Sequence, residues 1–266
     1  MNPRTLFDFQ ENQNLTQILP LRDVQVGRYA QLELLPSCQN CRNLTDVAFP
    51  VLVTETRSWY SFRYCHGLTN VVFNKNIRVI TQESFRYCGN LPKIDIPDSV
   101  IDIGTYAFQF CTNLTYATIG NSVTNIGASA LQTCSNLLEL TIPDSVTVIG
   151  RQAFQNNAKM TNVVIGSGLR EIQFGVFSNC PKLERVVLGN NITNIGEKAF
   201  LNTGKLKSLS IPESVTVIGP NAFGGSGLTT LSIPSMTVQQ VTDNYSTWAI
   251  RSGCVVTCSD GTYTIP

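Results

Sequence analysis

Nine cysteines and a single histidine are the residues of this 266-residue chain whose side chains could act as nucleophiles or soft-metal ligands. Cys65 and His66 are adjacent, and a thiol with an imidazole is the combination that activates a cysteine nucleophile. Adjacent side chains normally point apart, however, and no second histidine exists to complete a cluster or a triad. The sequence therefore predicts no catalytic residue and a protein that is not an enzyme.

The cysteines and glycines of the sequence also bear on metal and cofactor sites. Cys38 and Cys41 form a C-x-x-C pair, but a zinc site needs a second pair, which is absent. Cys254 and Cys258 are four residues apart in a predicted strand, too far apart to bond to each other. The glycine-rich motifs that hold phosphates are also absent. We expect no metal and no cofactor, and an odd number of cysteines does not make a closed disulfide framework.

An internal repeat explains where most cysteines fall. Three positions recur at intervals of 23 residues, the last of them with a one-residue deletion before Leu228. The first holds Phe62, Phe85, Phe108, Leu131, Phe154, Phe177, Phe200 and Phe223; the second Cys65, Cys88, Cys111, Cys134, Asn157, Cys180, Thr203 and Ser226; the third Leu68, Leu91, Leu114, Leu137, Met160, Leu183, Leu206 and Leu228. We interpret the cysteines as a column of buried thiols, since Asn, Thr and Ser replace them. Redox or metal use is the alternative, and disulfides between rungs are disfavoured by their in-register geometry.

Residues 137–160 show how one repeat should fold. Leu140 and Ile142 alternate with polar residues, which predicts a short strand with one face inward, and Pro143 ends it. Gly150 is expected to permit a turn that a side chain would strain, and residues 151–156 to form a helical or 3₁₀ turn. No repeat can bury its apolar side alone, so stacked coils and a parallel sheet follow.

The repeated pattern L-x-x-[LIV]-x-[IL]-x-x-[SN]-[VI]-x-x-I-G-x-x-A-F-x-x-C-x-x-L resembles the BspA-like, or Treponema-type, leucine-rich repeat. Its clearest copies run from Ile142 to Phe154 and from Ile211 to Phe223. The resemblance implies a leucine-rich-repeat solenoid with a parallel β-sheet on the concave face and short extended segments and 3₁₀ or helical turns on the other faces. One departure is that the column usually held by Asn is mostly serine, which is expected to satisfy loop amides less completely. That column reads Asn76, Ser99, Ser122, Ser145, Gly168, Asn191 and Ser214.

We divide the chain into an irregular N-terminal capping segment (1–43), the repeats (44–233) and a C-terminal cap with a β-hairpin (234–266), all in one domain. The segment 23–27 resembles the second stretch of a coil. Trp248 is expected to cover the exposed end of the core, and Asp260 with Gly261 to form the hairpin turn.

Composition excludes several partners. Net charge is +1, from 19 basic and 18 acidic residues, so a strongly basic nucleic-acid footprint and a polybasic membrane patch are not expected. No apolar run is long enough for a transmembrane helix, so membrane insertion is not expected, and no signal peptide is visible. A monomer is expected. The family resemblance implies a location at the cell surface or secretion, and the sequence alone leaves the localisation unknown.

The outward positions of the strands form the predicted binding surface. One column reads Asp46, Asn70, Lys93, Tyr116, Glu139, Asn162, Arg185, Ser208 and Thr230; the other reads Ala48, Val72, Asp95, Thr118, Thr141, Val164, Val187, Ser210 and Ser232. Lys93, Tyr116, Glu139 and Arg185 are the predicted partner-binding residues, with Tyr116 and Arg185 as anchors. The resemblance implies adhesion to a protein, such as a host or extracellular-matrix protein. A merely solvated face, in an architectural spacer or an intracellular scaffold, is the alternative.

Overall fold

The 23-residue repeat of the sequence forms one coil of a parallel β-solenoid in the computed structural model of the chain, which describes residues 12–18, 38–49 and 62–266. In chain order its elements are β1 (Gln17–Ile18), β2 (Asp46–Ala48), β3 (Asn70–Val72), β4 (Val79–Ile80), β5 (Lys93–Asp95), β6 (Asp102–Ile103), β7 (Tyr116–Thr118), β8 (Asn125–Ile126), β9 (Glu139–Ile142), β10 (Val148–Ile149), β11 (Asn162–Ile165), β12 (Glu171–Ile172), β13 (Arg185–Val187), β14 (Asn194–Ile195), β15 (Ser208–Ser210), β16 (Val217–Ile218), β17 (Thr230–Ile233), α1 (Val238–Asn244), β18 (Val255–Cys258) and β19 (Thr262–Thr264).

Each coil contributes to two ladders of parallel strands. The longer strands pair in register within four groups, β1-β2-β3, β5-β7, β9-β11-β13 and β15-β17-β18, so that Lys93 pairs with Tyr116 and Asn162 with Arg185. The shorter strands form a second ladder, ordered β4-β6-β8-β10 and then β12-β14-β16. We call the outward side of the longer strands the strand face; it comprises the outward residues of β2, β3, β5, β7, β9, β11, β13, β15 and β17.

The three repeated columns of the sequence build the core, as predicted. Leu68, Leu91, Leu114 and Leu137 are all fully buried, and so are the seven phenylalanines of the repeated phenylalanine column. The rings stack along the solenoid, with centroids 5.3 Å apart for Phe62 and Phe85. The parallel, leucine-rich-repeat fold expected from the sequence is therefore confirmed.

The third side of each coil has the expected turns, but they are hydrogen-bonded turns and not a continuous helix. Gln152 and Asn156 have φ values of 58° and 63°, in the left-handed region, which interrupts any helix within four residues. The N–H groups of Gln152, Phe154 and Asn156 donate to carbonyl oxygens of the next coil at 2.9–3.1 Å. Backbone hydrogen bonds thus connect neighbouring coils on this side too.

Gly150 has a different role from the one predicted. Its φ is not positive, so the turn itself does not require glycine. A Cβ atom added to Gly150 would instead lie 2.3 Å from the backbone nitrogen of Ala128 in the preceding coil. Gly104, Gly127, Gly196 and Gly219 show the same close approach. Between β10 and β12, both in the described part of the chain, strand pairing is interrupted, and there Gln173 replaces the glycine of this column.

The corner serines also act differently from the prediction. The Ser145 hydroxyl donates to the carbonyl oxygen of Val123 at 2.8 Å, so it satisfies a carbonyl and not an amide. Carboxylates accept from the corner amides: Asp144 Oδ1 accepts from the Ser167 N–H at 2.7 Å, and this bond lowers the pKa of Asp144. The prediction of amide-binding serines was wrong, because a hydroxyl facing a backbone carbonyl acts as a donor.

The C-terminal end has a helix that the sequence reading did not anticipate. Helix α1 begins with a capping box, in which the Thr237 hydroxyl accepts from the Gln240 N–H and the Gln240 side chain accepts from the Thr237 N–H. Trp248 follows and is 4% exposed. Strand β18 extends the sheet in parallel with β17, and β19 pairs with it antiparallel.

The proposed division at residues 43 and 233 stays a prediction. The predicted coil stretch at 23–27 lies outside the described residues. No helix in the described part of the chain is long and apolar enough to span a membrane.

Candidate functional site

The strand face places the four predicted partner-binding residues in one outward column. Lys93 on β5 pairs in register with Tyr116 on β7, and Glu139 on β9 is joined in register through Asn162 to Arg185 on β13. Strands β7 and β9 contact each other, and the 23-residue period continues the column between them. All four are exposed, and Tyr116 retains 48% of its accessible surface. Because neighbouring strands are about 4.8 Å apart, this column presents an aromatic ring and three charges along one line of the sheet.

The charges in this column are not equally available. Lys93 Nζ lies 3.5 Å from Asp95 Oδ2, so its charge is partly compensated on the same strand. Glu139 and Arg185 form no ion pair with any residue that the structure describes. They are separated by the strand of Asn162, which leaves both charges free to contact another molecule.

Sequence reasoning missed two features of the strand face. Val72 and Val187 are 51% and 37% exposed, so the second outward column adds apolar surface beside the charged one. The side-chain oxygen of Asn162 is buried and accepts no hydrogen bond from the described residues. Strand alternation predicted that these residues point outward, but it cannot predict how much of each remains exposed.

The cysteine column is buried and hydrogen-bonded along the solenoid. The thiol of Cys88 donates to the carbonyl oxygen of Phe62 in the preceding coil at 3.2 Å, and Cys134 donates to Phe108 in the same way. Burial raises the pKa of Cys134 and Cys180 to about 12. These thiols are therefore protonated near neutral pH, which suits a packing role and not a nucleophile.

The cysteines near the N-terminal end differ, because three of them interact. All nine cysteines of the chain are described, buried and free of disulfides. Hydrogen bonds from Cys38 and Cys65 lower the pKa of Cys41. The pKa of Cys65 is raised, first by its hydrogen bond with Cys41 and then by burial. In the described ranges, no group of three His, Cys, Asp or Glu side chains is arranged to hold a metal ion.

The Cys65–His66 pair has no geometry for catalysis. Cys65 is fully buried, and its thiol donates to the carbonyl oxygen of Cys38 at 2.9 Å. His66 is exposed, with its ring centroid 6.1 Å from that of Tyr64. The two side chains therefore lie in different environments, and the His66 imidazole is not placed to take a proton from the Cys65 thiol.

Asn157 is the exception in the cysteine column and leads to a stability prediction. Its side-chain nitrogen donates to the carbonyl oxygens of Leu131 and Phe154, but its buried oxygen accepts nothing among the described residues. We expect Asn157→Cys to raise the free energy of unfolding by about 1 kcal/mol, because a thiol keeps a donor and removes the unsatisfied acceptor. Thermal unfolding measures the change. Cys134→Asn is the matched reverse substitution and should destabilise; an unchanged or lower stability for Asn157→Cys would contradict the prediction.

A shallow groove of about 340 Å³ lies along the β12-β14-β16 part of the second ladder, and its lining includes Arg151, Glu171, Gln173 and Phe174. The Phe174 ring lies 4.9 Å from the Arg151 guanidinium carbon and 5.3 Å from Lys198 Nζ. Lys198 also pairs with Glu197, and Glu171 accepts from the Asn194 amide. Three of the charged side chains in and beside the groove thus contact one another, an amide or an aromatic ring.

Comparison with known proteins identifies the repeat. The family model for the BspA type leucine rich repeat region matches residues 36–161 and 125–246 in six copies, which together cover well over half of the chain. A comparison with curated proteins gave no match.

Solved structures of other leucine-rich repeat proteins match the chain, and the first of the following, with a TM-score of 0.50, shows the similarity in fold. A leucine rich cell surface protein from Faecalibacterium prausnitzii A2-165 is 22% identical with a TM-score of 0.50, and the match covers 92% of this chain and 78% of that one. A leucine-rich repeat protein from Eubacterium ventriosum ATCC 27560 is 21% identical with a TM-score of 0.48, covering 73% and 72%. The T. pallidum Leucine Rich Repeat protein is 22% identical with a TM-score of 0.39, covering 49% and 72%.

Proposed function

Since the chain belongs to the BspA-type leucine-rich-repeat family, we propose that it is a non-enzymatic, adhesion-type binding scaffold whose strand face contacts a protein partner. The observation that supports this most directly is the exposed Tyr116 in line with Glu139 and Arg185, neither of which has an ion pair in the described structure. Tyrosine and arginine contribute disproportionately to protein–protein affinity. A face kept only for solubility has no need of them in one column.

The proposal includes a location at the cell surface or outside the cell, and a monomeric scaffold. The F. prausnitzii protein of similar fold is described as a cell surface protein, and we extend that location to this chain. Host or extracellular-matrix proteins are then the partners within reach. Digestion of intact cells with an added protease tests the location: loss of the chain supports it, whereas full protection would favour the intracellular scaffold.

Binding to a panel of purified extracellular-matrix proteins tests the strand face. We expect the double variant Tyr116→Ala/Arg185→Ala to lower the affinity for a bound protein by at least about tenfold, because both anchors lose their contacts. The matched control is Val217→Ala/Arg251→Ala, which removes an exposed apolar residue and an exposed arginine elsewhere. Equal affinities for wild type and the strand-face variant would overturn the choice of residues, and no saturable binding to any protein would favour the spacer.

A further inference from the structure

A row of lysines runs along the edge of the solenoid, just before the longer strands begin. Lys159, Lys182 and Lys205 each precede the buried residue of the leucine column, one per coil, and all three are exposed. The in-register pairing of Asn162 with Arg185 sets Lys159 and Lys182 about one strand spacing, ~4.8 Å, apart along the backbone. Lys205 follows after the same 23-residue period, on the coil whose strand β15 contacts β13. We call Lys159, Lys182, Lys205 and Lys207 the lysine row.

Lys207 extends the row by one coil. The next position in the column is Gly227, and a Cβ atom placed on it would lie 3.1 Å from Lys207 Nζ. The ammonium group of Lys207 therefore occupies the place that a side chain at position 227 would take. Four positive charges, from three successive coils, follow one another along this edge, and the last of them lies beside Gly227 of the fourth coil.

The near-zero net charge of the chain conceals this row. Residues 159–207 hold seven basic and three acidic residues: Lys159, Arg170, Lys182, Arg185, Lys198, Lys205 and Lys207 against Glu171, Glu184 and Glu197. Glu184 is the acidic residue closest in sequence to the row. None of the four lysines forms an ion pair within the described ranges.

In the preceding coils, the side chains of the same column hydrogen-bond to each other. Its residues there are Asn90, Asn113 and Asn136. The Asn113 side-chain N–H donates to Asn90 Oδ1 at 3.3 Å, and that of Asn136 donates to Asn113 Oδ1 at 3.4 Å. An ammonium group can only donate hydrogen bonds, so lysines cannot pair with each other in this way. Replacing the amides by lysines therefore substitutes a row of exposed, like-charged groups for one whose members hydrogen-bond to each other.

We propose that the lysine row binds a linear acidic polysaccharide, one that carries a sulfate or carboxylate on successive sugars. Such a chain brings acceptors at intervals that match a cation on every coil, and its negative charge removes the repulsion within the row. The row is one residue wide and is flanked by Ala158, Pro181 and Gly204, with no aromatic side chain for stacking bases, which disfavours single-stranded nucleic acid. It also offers no large apolar group for insertion into lipid.

Heparin, a sulfated polysaccharide, is the probe for this site. The triple variant Lys159→Asn/Lys182→Asn/Lys205→Asn tests it, because asparagine is the residue that this column holds in the preceding coils. We expect heparin affinity to fall by about tenfold or more at low salt. The slope of log affinity against log salt should fall by about 1 for each lysine removed. The charge-matched control Lys75→Asn/Arg78→Asn/Arg251→Asn removes three exposed cations elsewhere and should keep most of the affinity.

A variant with the opposite change keeps the proposal falsifiable if the first one folds poorly. Asn90→Lys/Asn113→Lys/Asn136→Lys extends the row onto the preceding coils and should raise heparin affinity. Equal losses in the triple variant and its control, or no gain on extension, would overturn the site. Tighter binding of duplex DNA or of anionic phospholipid vesicles than of heparin would overturn the proposed class of partner. Neither result bears on the strand face, because the lysine row lies outside it.

Discussion

Replacing Phe154 with alanine is expected to lower the free energy of unfolding by about 3–5 kcal/mol. The side chain is fully buried, and its ring stacks on Phe177 with the centroids 5.6 Å apart. Alanine would remove the buried ring and leave a cavity between coils that the surrounding backbone can fill only in part. Urea or thermal unfolding of the purified variant measures the loss.

Phe154→Leu is the matched control for this prediction. Leu131 occupies the same column one coil earlier and is fully buried there, so the solenoid accommodates leucine at this depth. We expect the leucine variant to be clearly more stable than the alanine variant. Unchanged stability for Phe154→Ala would mean that the stacked column does not form the core.

Gly150→Ala is expected to lower the free energy of unfolding by about 2–3 kcal/mol, because one added methyl group meets backbone and not a movable side chain. The new Cβ would lie 2.3 Å from the Ala128 nitrogen, so neighbouring coils must separate. Separation would strain the 2.7 Å hydrogen bond from the Gly150 N–H to the Ile126 carbonyl oxygen. An unfolding curve measures the loss of stability, and amide hydrogen exchange in the second ladder measures the weakening of its hydrogen bonds.

Gly204→Ala makes the same substitution where the structure leaves room. No atom lies within 4 Å of the position that its Cβ would take, and its φ is not positive. We expect alanine there to leave the free energy of unfolding unchanged or to raise it by about a few tenths of a kcal/mol, because alanine gives the unfolded chain less conformational entropy than glycine does. Equal stability of Gly150→Ala and Gly204→Ala would mean that close stacking of neighbouring coils is not the reason why position 150 holds glycine. The interruption of strand pairing beside Gln173 is consistent with that reason.

The positions of the candidate site residues could be predicted from the sequence, but which of their charges are ion-paired could not. Alternation along each strand is enough to place Tyr116 and Arg185 on the outward side, because side chains of a strand point to opposite faces in turn. That Lys93 is paired with Asp95 while Glu139 and Arg185 are unpaired depends on side-chain contacts that the repeat does not encode. Whether these four residues bind a partner stays a prediction.

The lysine row is a second feature that the sequence alone did not predict. The 23-residue spacing of Lys159, Lys182 and Lys205 is present in the sequence, but composition alone argued against a basic surface. Lys207 belongs to the row only because its side chain reaches the space above Gly227 in the next coil. A local charge pattern is thus visible only after the repeat has been stacked.

By itself, the sequence determined the coil length, the buried columns, the parallel strands and the leucine-rich-repeat class, because a strict repeat allows each apolar column one way to be buried. Only the tertiary structure decided the left-handed residues at Gln152 and Asn156, the reason for glycine at position 150 and the acceptor role of Asp144. These features depend on backbone groups of a neighbouring coil, 23 residues away in sequence. The distance and direction of such groups are fixed by stacking and not by local propensity.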